Sequence, residues 1–124
     1  MPVRSSTSRV LKWPDRPAVD AAVRALAQRL AQAHPELVRF GYFGSYACGN
    51  WGVGSDVDLV AIVDASTQPF AERALRFDVS GLPVPAELIV YTRDEWAKLL
   101  AQPHGLAREI DAHAVWVFRR EEAE

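Results

Sequence analysis

Cysteine, lysine and methionine are nearly missing from this chain: its 124 residues hold one cysteine, Cys48, one methionine, and only Lys12 and Lys98 against twelve arginines. A single cysteine excludes an intrachain disulfide and fits a reducing compartment. No apolar run approaches the ~18 residues that a membrane helix needs, and the basic, Ser-rich start MPVRSSTSRVLKW lacks the apolar segment of a secretory signal. A cytoplasmic location is expected. An import signal is the alternative for that start, but the segment is too short to show an amphipathic repeat. Charge of one sign is also missing. The net charge is −2, and no block of like charge is longer than the closing EEAE, which argues against a protein that grips long nucleic acid. A protein or small-molecule substrate fits better. With 49% hydrophobic and 24% charged residues, the length suits one domain with a real core.

Residues 1–14 carry Ser, Thr and Arg without apolar periodicity and read as a flexible or loosely docked arm, leaving 15–124 as the domain. From Pro17, the residues Val19, Ala22, Val23, Leu26 and Leu30 recur at helical spacing, so a first amphipathic helix should end before Pro35. LVRFGYF, DVDLVAIV and PVPAELIVYT read as strands, PFAERALRF as a short helix. Thr92 opens a Thr-Arg-Asp-Glu capping box ahead of WAKLL. Pro103 and Gly105 interrupt that helix, LAREIDA supplies another turn or two, and AVWVFRR is a short last strand. Alternating helices and strands imply an α/β or α+β domain around one sheet.

Between two of these strands, the stretch 42–64, YFGSYACGNWGVGSDVDLVAIVD, holds Gly44, Gly49, Gly52 and Gly54 and then Asp56 and Asp58. Strand side chains alternate, so Asp56 and Asp58 share a face, about 6 to 7 Å apart at the backbone, while Val57 and Leu59 enter the opposite layer. Two ionised carboxylates on one face of an apolar strand repel and lose hydration unless a cation neutralises them. Hard oxygen ligands in small number suit Mg²⁺ or Mn²⁺ with positions left for water and phosphate oxygens. Gly44 and Ser45 follow an apolar strand, and YACG can start a short helix whose N–H groups point back toward the loop, an arrangement that attracts phosphate. Carboxylates facing a phosphate cradle imply phosphoryl or nucleotidyl transfer. A two-metal site needs a third acid to hold the second ion and deprotonate the attacking hydroxyl. Glu87, in PAELIVY, is the only acid inside a later apolar strand. It is expected on a central strand, as third metal ligand and base; the rival reading makes it a solvent-facing residue of an edge strand.

Gly44-Ser45, ten intervening residues and Asp56-Val57-Asp58 form G-S-x10-D-x-D, which resembles the signature of the DNA polymerase β-like nucleotidyltransferases. The short chain resembles their minimal, MntA-like group, from the first helix through Glu87 and more weakly in REIDAHAVWVF. The resemblance implies a mixed sheet flanked by helices, two Mg²⁺ ions and a nucleoside triphosphate donor, ATP by preference. It makes Asp56, Asp58 and Glu87 the metal ligands and catalytic acids, and sets Gly44, Ser45 and Ser55 against the nucleotide. It also implies a role as antitoxin to a helical HEPN partner, with AMP transferred to a tyrosine of that partner. Two positions depart from the common pattern: Cys48 stands where arginine is frequent, and Glu87 reaches one methylene further than the usual aspartate.

Two rival readings stand beside this one: a degenerate module that neutralises a helical partner by steric cover, and an antibiotic-type transferase acting on a small molecule. D-x-D also occurs in dehalogenase-type phosphatases and glycosyltransferases, but there the acids end an apolar strand, whereas here GVGS precedes them and LVAIV follows. Cys48 reads as a small buried thiol rather than a nucleophile. His34, His104 and His113 read as surface or capping residues, without the clustered spacing of metal ligands. Trp51 either covers the site or packs on the domain edge, and Trp13, Trp96 and Trp116 read as core or interface. The oligomeric state stays open.

Overall fold

The computed structural model describes residues 13–120; the calls on residues 1–12 and 121–124 lie outside them. The first helix, α1, runs Arg16–Ala33, with Asp15 as N-cap accepting from the Ala18 N–H and a proline in the first turn. Its Val19, Val23, Leu26, Ala27 and Leu30 are buried, the stripe that the 3.6-residue period demands. Pro35 disfavours helical geometry at His34, where the helix is capped.

Strand β1, Leu37–Phe43, leads through Gly44 into a one-turn helix α2, Ser45–Cys48. Strand β2 is Val57–Val63, so Asp56 stands just before it. A helical turn α3, Phe70–Arg73, tightens into a 3-10 turn over Ala74–Arg76. Strand β3 is Ala86–Thr92, shorter than the expected 83–92 because Pro83 and Pro85 have no N–H to give a ladder. Helix α4, Arg93–Leu100, carries the full capping box between Thr92 and Glu95. Helix α5, Leu106–His113, and strand β4, Val115–Arg119, close the fold.

The sheet order is β3-β2-β1-β4. Strands β1 and β2 and strands β1 and β4 pair antiparallel, and β2 and β3 pair parallel, which makes the expected mixed sheet. One face packs Val57, Leu59, Ala61 and Val63 with the buried stripe of α1. The other packs Val60 and Ile62 with Trp96 of α4 and Ala107 and Ile110 of α5. β3 is an edge strand, so the expected central position of Glu87 is wrong: its side chain is exposed. The sequence motif could not rank the strands, because order in a sheet is set by which faces the helices cover.

At the end of the sheet where β2 finishes, charges are paired. The buried Arg73 donates to both carboxylate oxygens of Glu95, at 2.6 and 2.9 Å, and Arg120 and Arg93 donate to Asp64. Hydrogen bonds from Arg73, with the Thr92 N–H assisting, hold the Glu95 carboxyl down to about 2 from its ordinary 4.5. Those from Arg120, then Arg93, take Asp64 to about 2. A depressed carboxyl contributes stability above its unfolded value and loses it as pH falls through the folded one. Urea midpoints should therefore drop between about pH 4.5 and 2, and Glu95→Gln should flatten that drop while lowering stability at neutral pH. An unchanged acid slope in the variant would contradict this assignment.

Backbones also approach closely at β1. A Cβ on Gly41 would lie 2.5 Å from the Val115 carbonyl oxygen and 3.0 Å from the Trp116 Cα, where the β1–β4 register already shifts between Phe40 and Gly41. Gly41→Ala should cost about 1–3 kcal/mol, as overpacking does, read from denaturant unfolding.

Candidate functional site

Three chain segments meet at the other end of the sheet. Antiparallel pairing brings the end of β1 to the start of β2, with Phe43 opposite Asp58. Parallel pairing brings the start of β3 beside the start of β2, with Glu87 opposite Asp58. Asp58 thus has the phosphate-loop side on one flank and the third acid on the other. As the alternation requires, Val57 and Leu59 are fully buried in the α1 layer, leaving Asp58, with Val60 and Ile62, on the opposite face.

Asp58 is half-buried, while Asp56 and Glu87 are exposed. Burial, followed by the charges of Asp56 and Glu87, raises the Asp58 carboxyl above the usual range. Asp58 therefore feels the charges of the other two, and it is the member that has lost water. Among the described residues, no three His, Cys, Asp or Glu side chains are gathered into a ready-made metal cage. The donor set is nonetheless all-oxygen, and its mutual repulsion is what a hard divalent cation relieves. Asp58 and Glu87 face each other on adjacent strands, and Asp56 is the residue that precedes the first of them.

Gly44 fits against this cluster more tightly than its sequence context implied. Its φ is +77°, a left-handed conformation, and any Cβ there would run into Asp58 Oδ2. Glycine at this position lets the loop backbone come up against the carboxylate, so the glycine-rich loop and Asp58 adjoin directly. The hydrogen bond from Cys48 N–H to Gly44 O, at 3.0 Å, opens the α2 ladder; the N–H groups of Ser45, Tyr46 and Ala47 precede it. Ser45 begins α2, half-buried. Ser55 closes a tight turn: its N–H donates to Gly52 O at 3.0 Å and its Oγ accepts from Gly52 N–H at 2.9 Å. The Ser55 hydroxyl proton stays available to a ligand.

The remaining singled-out residues fall differently. Cys48 is exposed, which overturns the expectation of a buried thiol; a single turn of helix covers too little surface to hide its last residue. Trp51 stacks on Tyr46, centroids 5.4 Å apart and planes 8° from parallel, so it packs on the domain as one of its two readings held. His34 caps α1 and packs against Phe77 with the rings tilted by 32°. His113 lies beside Glu109, with Nε2 to Oε1 at 3.9 Å. Trp96 is buried, and Trp13 and Trp116 are partly so.

A cavity of about 160 Å³ adjoins the site, lined by Phe43, Gly44, Cys48, Leu106 and Ile110 together with Glu109 and His113. Sequence reasoning missed the α5 contribution to this wall; the only signal was the amphipathic pattern of LAREIDAH, which marks a packed helix without saying on what. A further cavity, of about 400 Å³, lies near the far ends of β2 and β3 against Val63, Val90 and Arg76, and none of the three acids lines it. Among the described residues no helix is long and apolar enough to cross a membrane.

Residues 23–115 match the sequence model of the nucleotidyltransferase domain family. No curated protein sequence matches the chain significantly. Among solved structures, a protein from Sulfolobus solfataricus assigned as a nucleotidyltransferase superposes with a TM-score of 0.61 at 19% identity, over 85% of this chain and 84% of that one. A chain of a toxin–antitoxin structure with AMP-PNP gives a TM-score of 0.47 at 14% identity, over 79% of this chain and 74% of that one. The first of these likenesses speaks to the fold alone. The family match spans Gly44, both aspartates of the D-x-D strand and the facing Glu87, and on it this chain belongs to the nucleotidyltransferase domain family.

Proposed function

We propose that the chain transfers a nucleoside monophosphate, AMP from ATP, to a hydroxyl acceptor, and that the acceptor is a tyrosine on a helical HEPN-type partner which this chain restrains as an antitoxin. The observation that carries the transfer reading is the single cluster in which Gly44 touches the Asp58 carboxylate while Glu87 stands opposite it and Asp56 lies within electrostatic reach. Gly44, Ser45 and Ser55 bind the phosphates of the donor. Asp56, Asp58 and Glu87 hold Mg²⁺, or Mn²⁺, as a pair of ions. When bound, such ions neutralise the triphosphate and stabilise the departing pyrophosphate.

The acceptor hydroxyl gives its proton to the Glu87 carboxylate as its oxygen forms a bond to the α-phosphorus. The α–β bridging P–O bond breaks, and pyrophosphate leaves with that electron pair. A protein acceptor is supported by the exposure of Glu87 on an edge strand. A bulky hydroxyl-bearing segment can reach it there, and a domain this small has little surface left to build an acceptor pocket of its own. The choice of tyrosine and of a HEPN partner rests on the motif resemblance.

Labelling host lysate with α-³²P ATP, Mg²⁺ and the wild type should give a protein band that Asp58→Asn does not. That variant should melt no lower than the wild type without metal, since it removes a carboxylate crowded by two others. Equal labelling by both proteins, with Mn²⁺ also tried, would overturn the transfer reading. Inhibition of the partner that survives the Asp56/Asp58 double substitution would favour steric cover instead.

Gly44→Ala offers an independent check. A methyl group at this left-handed position displaces the Asp58 carboxylate, and transfer should fall by ~10²-fold or more, the scale of a 1 Å misplacement. Wild-type rates in that variant would show that the loop and the acids work separately.

A further inference from the structure

The β2 ladder begins at Val57, so Asp56 is not held by the sheet. Its position depends on the peptides on either side of it. On one side, the Val57 N–H donates to Pro85 O at 2.9 Å. On the other, the indole N–H of Trp13 donates to the Ser55 carbonyl at 3.1 Å, across 42 residues of sequence. The turn that delivers Ser55 is closed by its two hydrogen bonds with Gly52 and has no packing of its own beyond them: Gly52, Val53 and Gly54 are exposed, and nothing lies within 4 Å of where a Cβ would stand on Gly52 or Gly54.

The residue after Trp13 makes the matching contact to the phosphate loop. Tyr46, next to Ser45 in α2 and fully buried, donates its hydroxyl to the Pro14 carbonyl at 2.8 Å. The Tyr46 ring also stacks on Trp51, inside the loop that leads to Ser55. The following residue, Asp15, caps α1, so the dipeptide is anchored at the start of the longest helix. Two consecutive residues therefore tie the helix that opens the phosphate loop to the peptide that carries the first aspartate.

We infer that Trp13 and Pro14 form a strap that fixes Asp56 relative to the phosphate loop, which makes Trp13 a positioning residue for the site; its effect on metal binding rests on the functional reading above. The strap acts through two hydrogen bonds to backbone carbonyls, and Trp13 contributes no group to the chemistry. Loss of the Trp13 bond frees one flank of the Asp56 peptide, and loss of the Tyr46 bond frees the strap from the loop helix; either changes how far that carboxylate sits from Gly44 and Asp58.

Trp13→Phe removes the indole donor and keeps a ring, and Tyr46→Phe removes the hydroxyl and keeps the buried stack. Amide hydrogen exchange on the full chain should rise roughly fivefold in peptides covering residues 52–58 in either variant, the change that one net hydrogen bond is worth. The interiors of α1 and β2 should stay at wild-type rates. The Kd for Mn²⁺ alone, read by electron paramagnetic resonance, should rise by a similar factor. Because both variants cut one strap, the double variant should be no worse than the more severe single one. Unchanged exchange at 52–58 in Trp13→Phe, effects that multiply in the double variant, or faster exchange with unaltered Mn²⁺ affinity would each overturn the strap. A wild type that binds no Mn²⁺ would contradict the functional reading instead, and the exchange and double-variant results would then decide the strap alone.

Discussion

The contact on which the arrangement depends is that of the Gly44 backbone with the Asp58 carboxylate. It requires a residue without a side chain, in a left-handed conformation, placed where β1 ends beside the start of β2. Topology makes that meeting unavoidable. An antiparallel β1–β2 pair sets the exit of one strand against the start of the next, and a parallel β2–β3 pair sets two strand starts side by side. One end of the sheet thereby collects a loop, a D-x-D and a facing glutamate that are far apart in sequence. Charge is graded across them: Asp56 and Glu87 keep their water, and only Asp58 gives up part of its hydration. A cluster with all three acids buried would cost several kcal/mol for each ion.

Much of this was legible in local rules. The face that Asp58 takes follows from strand alternation, the α1 stripe from helical periodicity, and the capping box of α4 from four consecutive residues, Thr92 to Glu95. Each of these depends on neighbours within a turn or two. What escaped reading depends on distant partners. Glu87 was expected on a central strand and lies at an edge, since the rank of β3 is decided by β1 and β4. Cys48 was expected inside and is outside, because α2 ends after one turn. Trp13 looked like an ordinary core or interface aromatic within a flexible or loosely docked arm, yet it is partly buried and hydrogen-bonded to the domain. Its bond to Ser55 spans 42 residues and leaves no pattern in the chain.

The two ends of the sheet treat charge in opposite ways. Where β2 finishes, carboxylates meet guanidinium groups: Glu95 with Arg73, Asp64 with Arg120 and Arg93, and each carboxyl is held down to about 2. Where β2 begins, carboxylates meet one another, and the Asp58 carboxyl is raised. Folding favours the ionised form at the first end and the protonated form of Asp58 at the second. Arginines pair Glu95 and Asp64 at the first end, while among the described residues no ion pair includes an acid of the cluster. Local consistency fails at this end of the sheet, and such failures are expected at functional or strained sites. The missing counter-charge has to be small enough to fit beside the Gly44 backbone and hard enough for oxygen donors alone. Under the proposed function, a divalent ion arriving with a triphosphate would meet both conditions.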